Sequence, residues 1–250
     1  MTPPTSTRKQ REIAAREQEL LDAAQELLIE RGYIGLTMDR LAAAADLAKG
    51  TVYLHFANKE DLVAAIAERS ARIRAALFAR ALEFQGTPRE RIGAVGAAAE
   101  VFKHLYPHHE QAERIVKTAS IAAKVSEERA ASLGECEAAC FGTALQIIQE
   151  GISGGDLELR DDQTPQQVCL GLWNLYMGAF LMREMEFCVD EPTFEDPMPI
   201  VLRNAQVLLD GFGWQPLSTE HDYFAARDRA LDEVFADEAR EAGLRPSNQG

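Results

Sequence analysis

Residues 36–62 constrain the chain more than any other stretch: LTMDRLAAAADLAKGTVYLHFANKEDL. Thr37 is placed to cap a short helix through about Ala45, since a threonine oxygen accepts from an amide of the first helical turn. Asp46-Leu47 reads as a tight turn. Ala48 or Lys49 then opens a second short helix to about Phe56. Asn58-Lys59-Glu60-Asp61 restarts the chain as a longer helix, with acids in the first turn where the helix dipole favours them. Two helices of about eight residues joined by a three- or four-residue turn form a helix-turn-helix. On a wheel of about 100° per residue, Val52 and Phe56 fall together and predict an inward face. Gly50, Thr51, Leu54 and His55 fall roughly opposite, with Tyr53 at the flank. That outer face suits the major groove of DNA. Gly50 lets the backbone approach closely, and Thr51, Tyr53 and His55 donate to phosphates or base edges. Leu54 meets a thymine methyl, and Lys59 beside its helix's N-terminal amides suits a phosphate.

The stretch resembles the DNA-binding domain of TetR/AcrR-family repressors. The resemblance is carried by Gly32-Tyr33 before Thr37, by Lys49-Gly50-Thr51-Val52-Tyr53-Leu54-His55-Phe56, and by Asn58-Lys59-Glu60-Asp61-Leu62, over about residues 20–66. It implies that Thr37 and Tyr53 bind phosphate, that Lys49, Thr51 and Leu54 face bases, and that His55 and Lys59 clamp the DNA backbone. One departure is Ala48, which stands where the family often has a capping Ser or Thr. Without that cap the recognition helix loses ~1 kcal/mol at its start.

Charge is permissive. The chain carries a formal net charge of −14, which by itself disfavours a nucleic-acid partner. Yet residues 1–60 hold eight Lys/Arg against nine Asp/Glu, and Arg8, Lys9 and Arg11 make a small basic arm. Nearly all the acidic excess therefore lies further on. No apolar run reaches the ~18 residues of a membrane span, and the start of the chain lacks a signal peptide's apolar stretch. We expect a cytoplasmic protein with no membrane partner. Cys136, Cys140, Cys169 and Cys188 are too sparse for a disulfide framework.

Helical periodicity continues to the end, and no alternation of strand type appears. The expected fold class is all-α: an N-terminal three-helix helix-turn-helix domain followed by a helical ligand-binding and dimerisation domain. Residues 1–10 are expected to be a disordered basic arm, 11–66 the DNA-binding domain, 67–242 the second domain and 243–250 a disordered tail. Within 11–31 the apolar periodicity runs from Ile13 to Leu28, closed by Gly32. Helices are expected at about 59–84, 88–105, 110–124, 127–152, 165–187, 199–211 and 218–242, with His108-His109-Glu110 an exposed turn. The role of the last helix stays open between packing on a dimer and covering a pocket.

The family resemblance implies a homodimer built on 165–187 and 199–211. Leu170, Trp173, Leu175, Met177, Gly178, Phe180, Leu181 and Met185 are apolar around more than one face, more than a monomer core requires. Val201, Ala205, Leu208 and Leu209 repeat the pattern on the partner helix. Candidates for an apolar effector pocket are Phe102, Tyr106, Phe141, Leu145, Trp173 and Met177. A rival reading places a metal- or thiol-responsive site at Cys136 and Cys140, one helical turn apart, with His104 and His108 nearby. Pro107 ends the helix between those histidines and neither spacing is a tight CxxC, so no metal is assigned. No phosphate loop, nucleophile elbow or paired-carboxylate spacing is present, so neither an enzyme nor a cofactor is expected. The expected partners are double-stranded DNA carrying a palindromic operator, a small-molecule effector, and a second copy of the chain. The mechanism implied is repression relieved by ligand.

Overall fold

The computed structural model describes residues 8–184 and 196–245. Every regular element among them is helical: α1 (Arg8–Gly35), α2 (Met38–Ala44), α3 (Lys49–His55), α4 (Lys59–Arg80), α5 (Pro88–Leu105), α6 (His109–Val116), α7 (Ala119–Ala122), α8 (Glu127–Gly154), α9 (Pro165–Glu184), α10 (Met198–Gly211), α11 (Tyr223–Glu233) and α12 (Ala236–Glu241), with a 3-10 turn at Ala81–Glu83. The helix begins at Arg8, whose guanidinium meets Glu12 one turn on at 2.8 Å, so 8–10 are not an unstructured arm. Residues 1–7 lie outside the described residues, as do Met185, Cys188 and the end of the tail. Gly243–Arg245, expected in that tail, are held: Arg245 bonds Asp232 Oδ1 at 2.8 Å.

The chain forms two compact units. One takes in the chain up to Ile73 together with Tyr106–Glu137; the other takes Arg74–Leu105 and the chain from Ala138 on. A boundary at residue 67 therefore differs from the contacts, which give α6, α7 and the start of α8 to the first unit.

In the first unit, α1 supplies Leu20, Leu21, Ala24 and Leu28, α2 Leu41, α3 Val52, and α4 the run from Leu62 to Ala67, with Phe56 just beyond α3; all are buried in one core. Ala112 and Val116 of α6 and Leu133 of α8 complete it. Helices of seven residues are not stable alone, because each helix must first form its costly initial turn. Burying Val52 and Phe56 completely contributes roughly 1.5–3 kcal/mol each and fixes α3 in place. Gly32, at φ 63°, breaks α1 before the turn into α2, and only glycine adopts that conformation cheaply.

The segment 110–124 is two helices. Thr118 sits in an extended conformation between α6 and α7. The start of α6 is not an exposed turn either: Glu110 is buried, and Ser70 Oγ donates to Glu113 Oε1 at 2.5 Å. Tyr106 packs its ring edge-on to His109, centroids 4.9 Å apart. Burial, with the cations Arg69 and His108 nearby, pushes the His109 imidazole down to about 4. An unfolded imidazole titrates near 6.5, so the unfolded chain takes up this proton first. The stabilisation is present above pH 6.5 and is lost as pH falls towards 4. We expect the unfolding free energy, followed by far-UV circular dichroism, to drop on the order of 2 kcal/mol more between pH 7 and pH 4 than in His109→Phe. Equal pH dependence in the two proteins refutes this.

In the second unit, α9 packs on α10, and α11 with α12 packs on α5. Ile92, Ile147, Ile148, Val168, Leu209 and Trp214 form the core. Gly151 admits the Trp214 indole, whose Cζ2 lies 2.7 Å from where a Cβ would stand. The expected single helix 218–242 is two. Asp222 caps α11 by accepting from the amides of Phe224 and Ala225, each at 3.0 Å. The chain breaks again at Val234-Phe235, which sends Phe235 into the core. Arg80 bonds the Val234 carbonyl freed by that break, pairs with Glu238, and lies 5.1 Å over the Phe235 ring. Arg227 of α11 pairs with the buried Glu100 of α5. The C-terminal extension is thus tied to α5.

Candidate nucleic-acid interface

Local sequence builds the reading element. Thr37 Oγ1 accepts from the Arg40 amide at 3.2 Å and starts α2. Asp46 makes the turn at φ 52°, a left-handed conformation that Asp tolerates better than most residues. α3 opens on Ala48 with no side-chain cap, as its missing hydroxyl predicts. Asn58 Oδ1 accepts from the Asp61 amide at 2.7 Å and starts α4.

With Val52 and Phe56 inside, α3 turns its other side to solvent. Leu54 is 85% exposed and Tyr53 44%. Lys49 and Gly50 are exposed, and Thr51 is half-buried beside them. A Cβ built on Gly50 meets nothing within 4 Å, which leaves open space beside the backbone. An exposed leucine flanked by a phenol and an ammonium suits thymine methyls and phosphates.

The cations are positioned. Lys49 Nζ lies 2.6 Å from Asp39 Oδ1, and that hydrogen bond raises the ammonium pKa. The pair is exposed, so exchanging Asp39 for another anion costs little. Lys59 Nζ sits 3.8 Å over the centre of the Tyr33 ring. Burial lowers the Lys59 pKa. Tyr33 in turn donates to Glu60 Oε1 at 3.2 Å, and Lys124 reaches the same carboxylate oxygen at 3.0 Å. Burial pushes the Glu60 carboxyl up, but the bonds from Lys124 and Tyr33 outweigh it and hold it below the usual range. Tyr33, Lys59 and Glu60 thus form a small scaffold around the start of α4.

His55 departs from the expected outward face. Its side chain is only 10% exposed, and Nδ1 points to Glu17 Oε2 of α1 at 3.8 Å. Glu17 also meets Arg129 at 3.4 Å, and Arg129 pairs with Glu68 at 3.0 Å. A helical wheel gives directions about one axis and ignores the neighbour that covers one of them. Here α1 covers His55. The clamp role therefore does not rest on an open imidazole. Arg40, by contrast, escaped the sequence reading. It is exposed on α2, its Nη1 donating to the Gly35 carbonyl at 2.7 Å, three residues after Thr37. The available signal was a cation in the first turn after a capping threonine.

The model of the bacterial regulatory proteins, tetR family, matches residues 20–66. The match takes in the helix-turn-helix and its flanking helices, about a fifth of the chain. Over 60 residues the chain is 37% identical to the HTH-type transcriptional repressor AcnR of Corynebacterium diphtheriae, covering 24% of this chain and 32% of that protein. Over 101 residues it is 32% identical to the HTH-type transcriptional activator FasR of Mycolicibacterium smegmatis, covering 40% and 45%. The chain thus spans less than half the length of these curated relatives. A solved tetR-family regulator from Rhodococcus RHA1 superposes with a TM-score of 0.61 at 20% identity, over 79% of this chain and 96% of that one. At that identity the likeness concerns the fold, which is the TetR-type all-helical fold with an N-terminal helix-turn-helix.

In the second unit a cavity of about 110 Å³ opens between α4, α5, α8, α9 and α10. Its space comes from small residues: Gly93, Gly96 and Ala99 of α5 face it across from Phe141 and Trp173. Of the six pocket candidates, the structure brings only Phe141 and Trp173 to its wall. Phe102 is fully buried, with the Arg74 guanidinium 5.6 Å over its ring and 5.2 Å over Trp173. Leu145 and Met177 are half-buried off the wall, and Tyr106 belongs to the first unit. The cysteines separate likewise. Cys136 packs on the first unit's core, whereas Cys140 lines the cavity. Cys169 also lines it, and burial pushes its thiol up to about 12. Among the described residues no group of three or more His, Cys, Asp or Glu is placed to hold a metal, and no helix is long and apolar enough to cross a membrane.

Proposed function

We propose that this chain is a DNA-binding transcriptional regulator that acts as a homodimer on a palindromic operator and leaves it when a small, largely apolar ligand fills the second unit. The observation that carries the reading is α3: anchored by Val52 and Phe56, it offers Lys49, Gly50, Thr51, Tyr53 and Leu54 to solvent beside Thr37, Lys59 and Arg40. His55 contributes by fixing the end of α3 against Glu17 rather than by touching phosphate. Residues 11–66 serve as the DNA-binding domain, and 67–242 supply ligand binding and dimerisation.

Dimerisation is supported by apolar surface on the two helices assigned to it. Leu170 and Leu181 of α9 and Ile200 and Val207 of α10 are all more than 40% exposed. A second copy that pairs these helices removes that surface from water and sets two α3 helices ~34–36 Å apart, one turn of DNA. Ligand relief requires different affinity for the DNA-competent and released states, because equal binding shifts nothing. The relatives include a repressor and an activator. We take repression as the working sign. A metal- or thiol-responsive switch at Cys136 and Cys140 is disfavoured, since one thiol faces a core and the other a cavity.

Selection of bound duplexes from a random pool tests the reading. The expected outcome is an inverted repeat whose affinity falls steeply with salt, in a linear log–log relation, as phosphate contacts release counterions. Selection of no common sequence, together with salt-independent retention, refutes it.

A further inference from the structure

The wall of the second unit's cavity is apolar apart from a few groups, and no Asp, Glu, Lys, Arg or His is among its described lining residues. Gln206 of α10 is one of those polar groups. Its amide is oriented by chemistry: Arg89 Nη2 lies 3.2 Å from Gln206 Oε1, and a guanidinium only donates, so the oxygen must face it. Arg89 is itself fully buried and fixed by Asp210 and by the carbonyls of Trp214 and Pro216. The Gln206 oxygen is therefore spoken for. Its Nε2 has no protein acceptor among the described residues, although the side chain is partly buried and lines the cavity. The same side chain also lines a shallow surface groove with Arg203, Val207 and Phe224. It therefore borders both the cavity and the groove.

We infer that Gln206 is the polar handle of this cavity, and that the molecule it takes is uncharged, of about six heavy atoms, apolar over most of its surface and carrying one hydrogen-bond-accepting oxygen: a ketone, ester, ether or alcohol. This rests on the effector reading above. The size follows from volume, since a dry apolar cavity of ~150 Å³ holds one benzene, and this one is about 110 Å³. The neutrality follows from the wall. A carboxylate placed there loses its water and meets no cation, because the Arg89 charge is already matched by Asp210. The acceptor follows from the Gln206 amide nitrogen, whose two N–H donors Arg89 leaves free for one ligand oxygen. Arg89 acts as a positioning residue: it decides which end of the amide the ligand sees.

Three probes of similar size separate the possibilities: 2-pentanone, pentane and butanoate, titrated into the full chain by ligand-observed NMR with Trp173 emission as a second signal. The expected order in the wild type is 2-pentanone over pentane by about threefold to tenfold, the range of one neutral hydrogen bond, and over butanoate by at least about tenfold. Gln206→Met is expected to keep pentane binding and lose the ketone's advantage. Gln206→Glu keeps an acceptor for Arg89, guarding against loss of fold, and is expected to lose that advantage too. Butanoate binding as tightly as the ketone overturns the inference. So does a ketone preference that survives both variants, or the absence of binding by all three probes. Operator binding measured on the same samples keeps the readings apart: retained DNA binding with no probe bound defeats the handle alone, whereas ketone binding that leaves operator affinity unchanged supports the handle and removes the ligand arm of the proposed function.

Discussion

Leu54→Glu lowers operator affinity by at least ~100-fold and leaves the unfolding transition where it was. The side chain is 85% exposed near the end of α3 and supports no core, so replacing it costs the fold little. In the proposed complex the same position faces base edges. There a carboxylate exchanges an apolar contact for an unpaired anion among phosphates, and juxtaposed like charges cost several kcal/mol. A hundredfold corresponds to about 2.7 kcal/mol, within that range. Leu54→Ala removes the contact without adding charge and is expected to cost no more than about tenfold. Titration of a labelled operator at fixed salt measures both. If Leu54→Glu binds within threefold of the wild type, α3 does not read DNA.

Arg89→Met destabilises the second unit by about 3–5 kcal/mol, the usual range for breaking a buried ion pair. Arg89 is wholly buried, with Asp210 Oδ1 at 2.6 Å, the Pro216 carbonyl at 2.8 Å, the Trp214 carbonyl, both Gln206 oxygens, and the Tyr223 ring 4.2 Å beneath its guanidinium. Burial pushes the Asp210 carboxyl up, but bonds from Ser218 and Arg89 outweigh it and hold the pKa low. Methionine fills the volume, so the loss reports polar groups left without a donor rather than a void. Both tryptophans of the chain, Trp173 and Trp214, lie in this unit. Their emission during urea unfolding therefore follows its transition directly. Arg89→Lys is expected to fall between, since an ammonium keeps the charge and loses the fork. A loss below ~1 kcal/mol for Arg89→Met means that the network is ornamental to stability.

The reading element was legible in sequence because its determinants are local. A capping threonine, a turn that accepts a left-handed Asp46, an inward pair at 52 and 56, and a capped restart at Asn58 all act within a few residues of one another. Distances of one or two helical turns are what periodicity measures. His55 shows the limit. Its position on the wheel was right, yet the residue that occupies its outer side, Glu17, lies 38 positions upstream on α1. The domain boundary was hidden for a related reason. The units divide at Ile73 inside α4, between Leu105 and Tyr106 beside Pro107, and at Glu137 inside α8; within those two helices the helical periodicity runs on across the cut.

That the regular elements are helical, and where a short two-helix element turns a face outward, can be read along the chain, because hydrogen bonds and side-chain spacing within a helix are settled among near neighbours. Packing between helices fixes which small residues of α5 open a cavity, that Phe141 and Trp173 line it while Phe102 does not, and that Arg89 turns Gln206 one way round. It also breaks 218–242 at Val234-Phe235, where Phe235 enters the core and Arg80, more than 150 residues earlier in the chain, bonds the freed Val234 carbonyl and lies over the ring. Packing assembles residues from five helices around one volume, and no pattern along a single helix records what the other four bring.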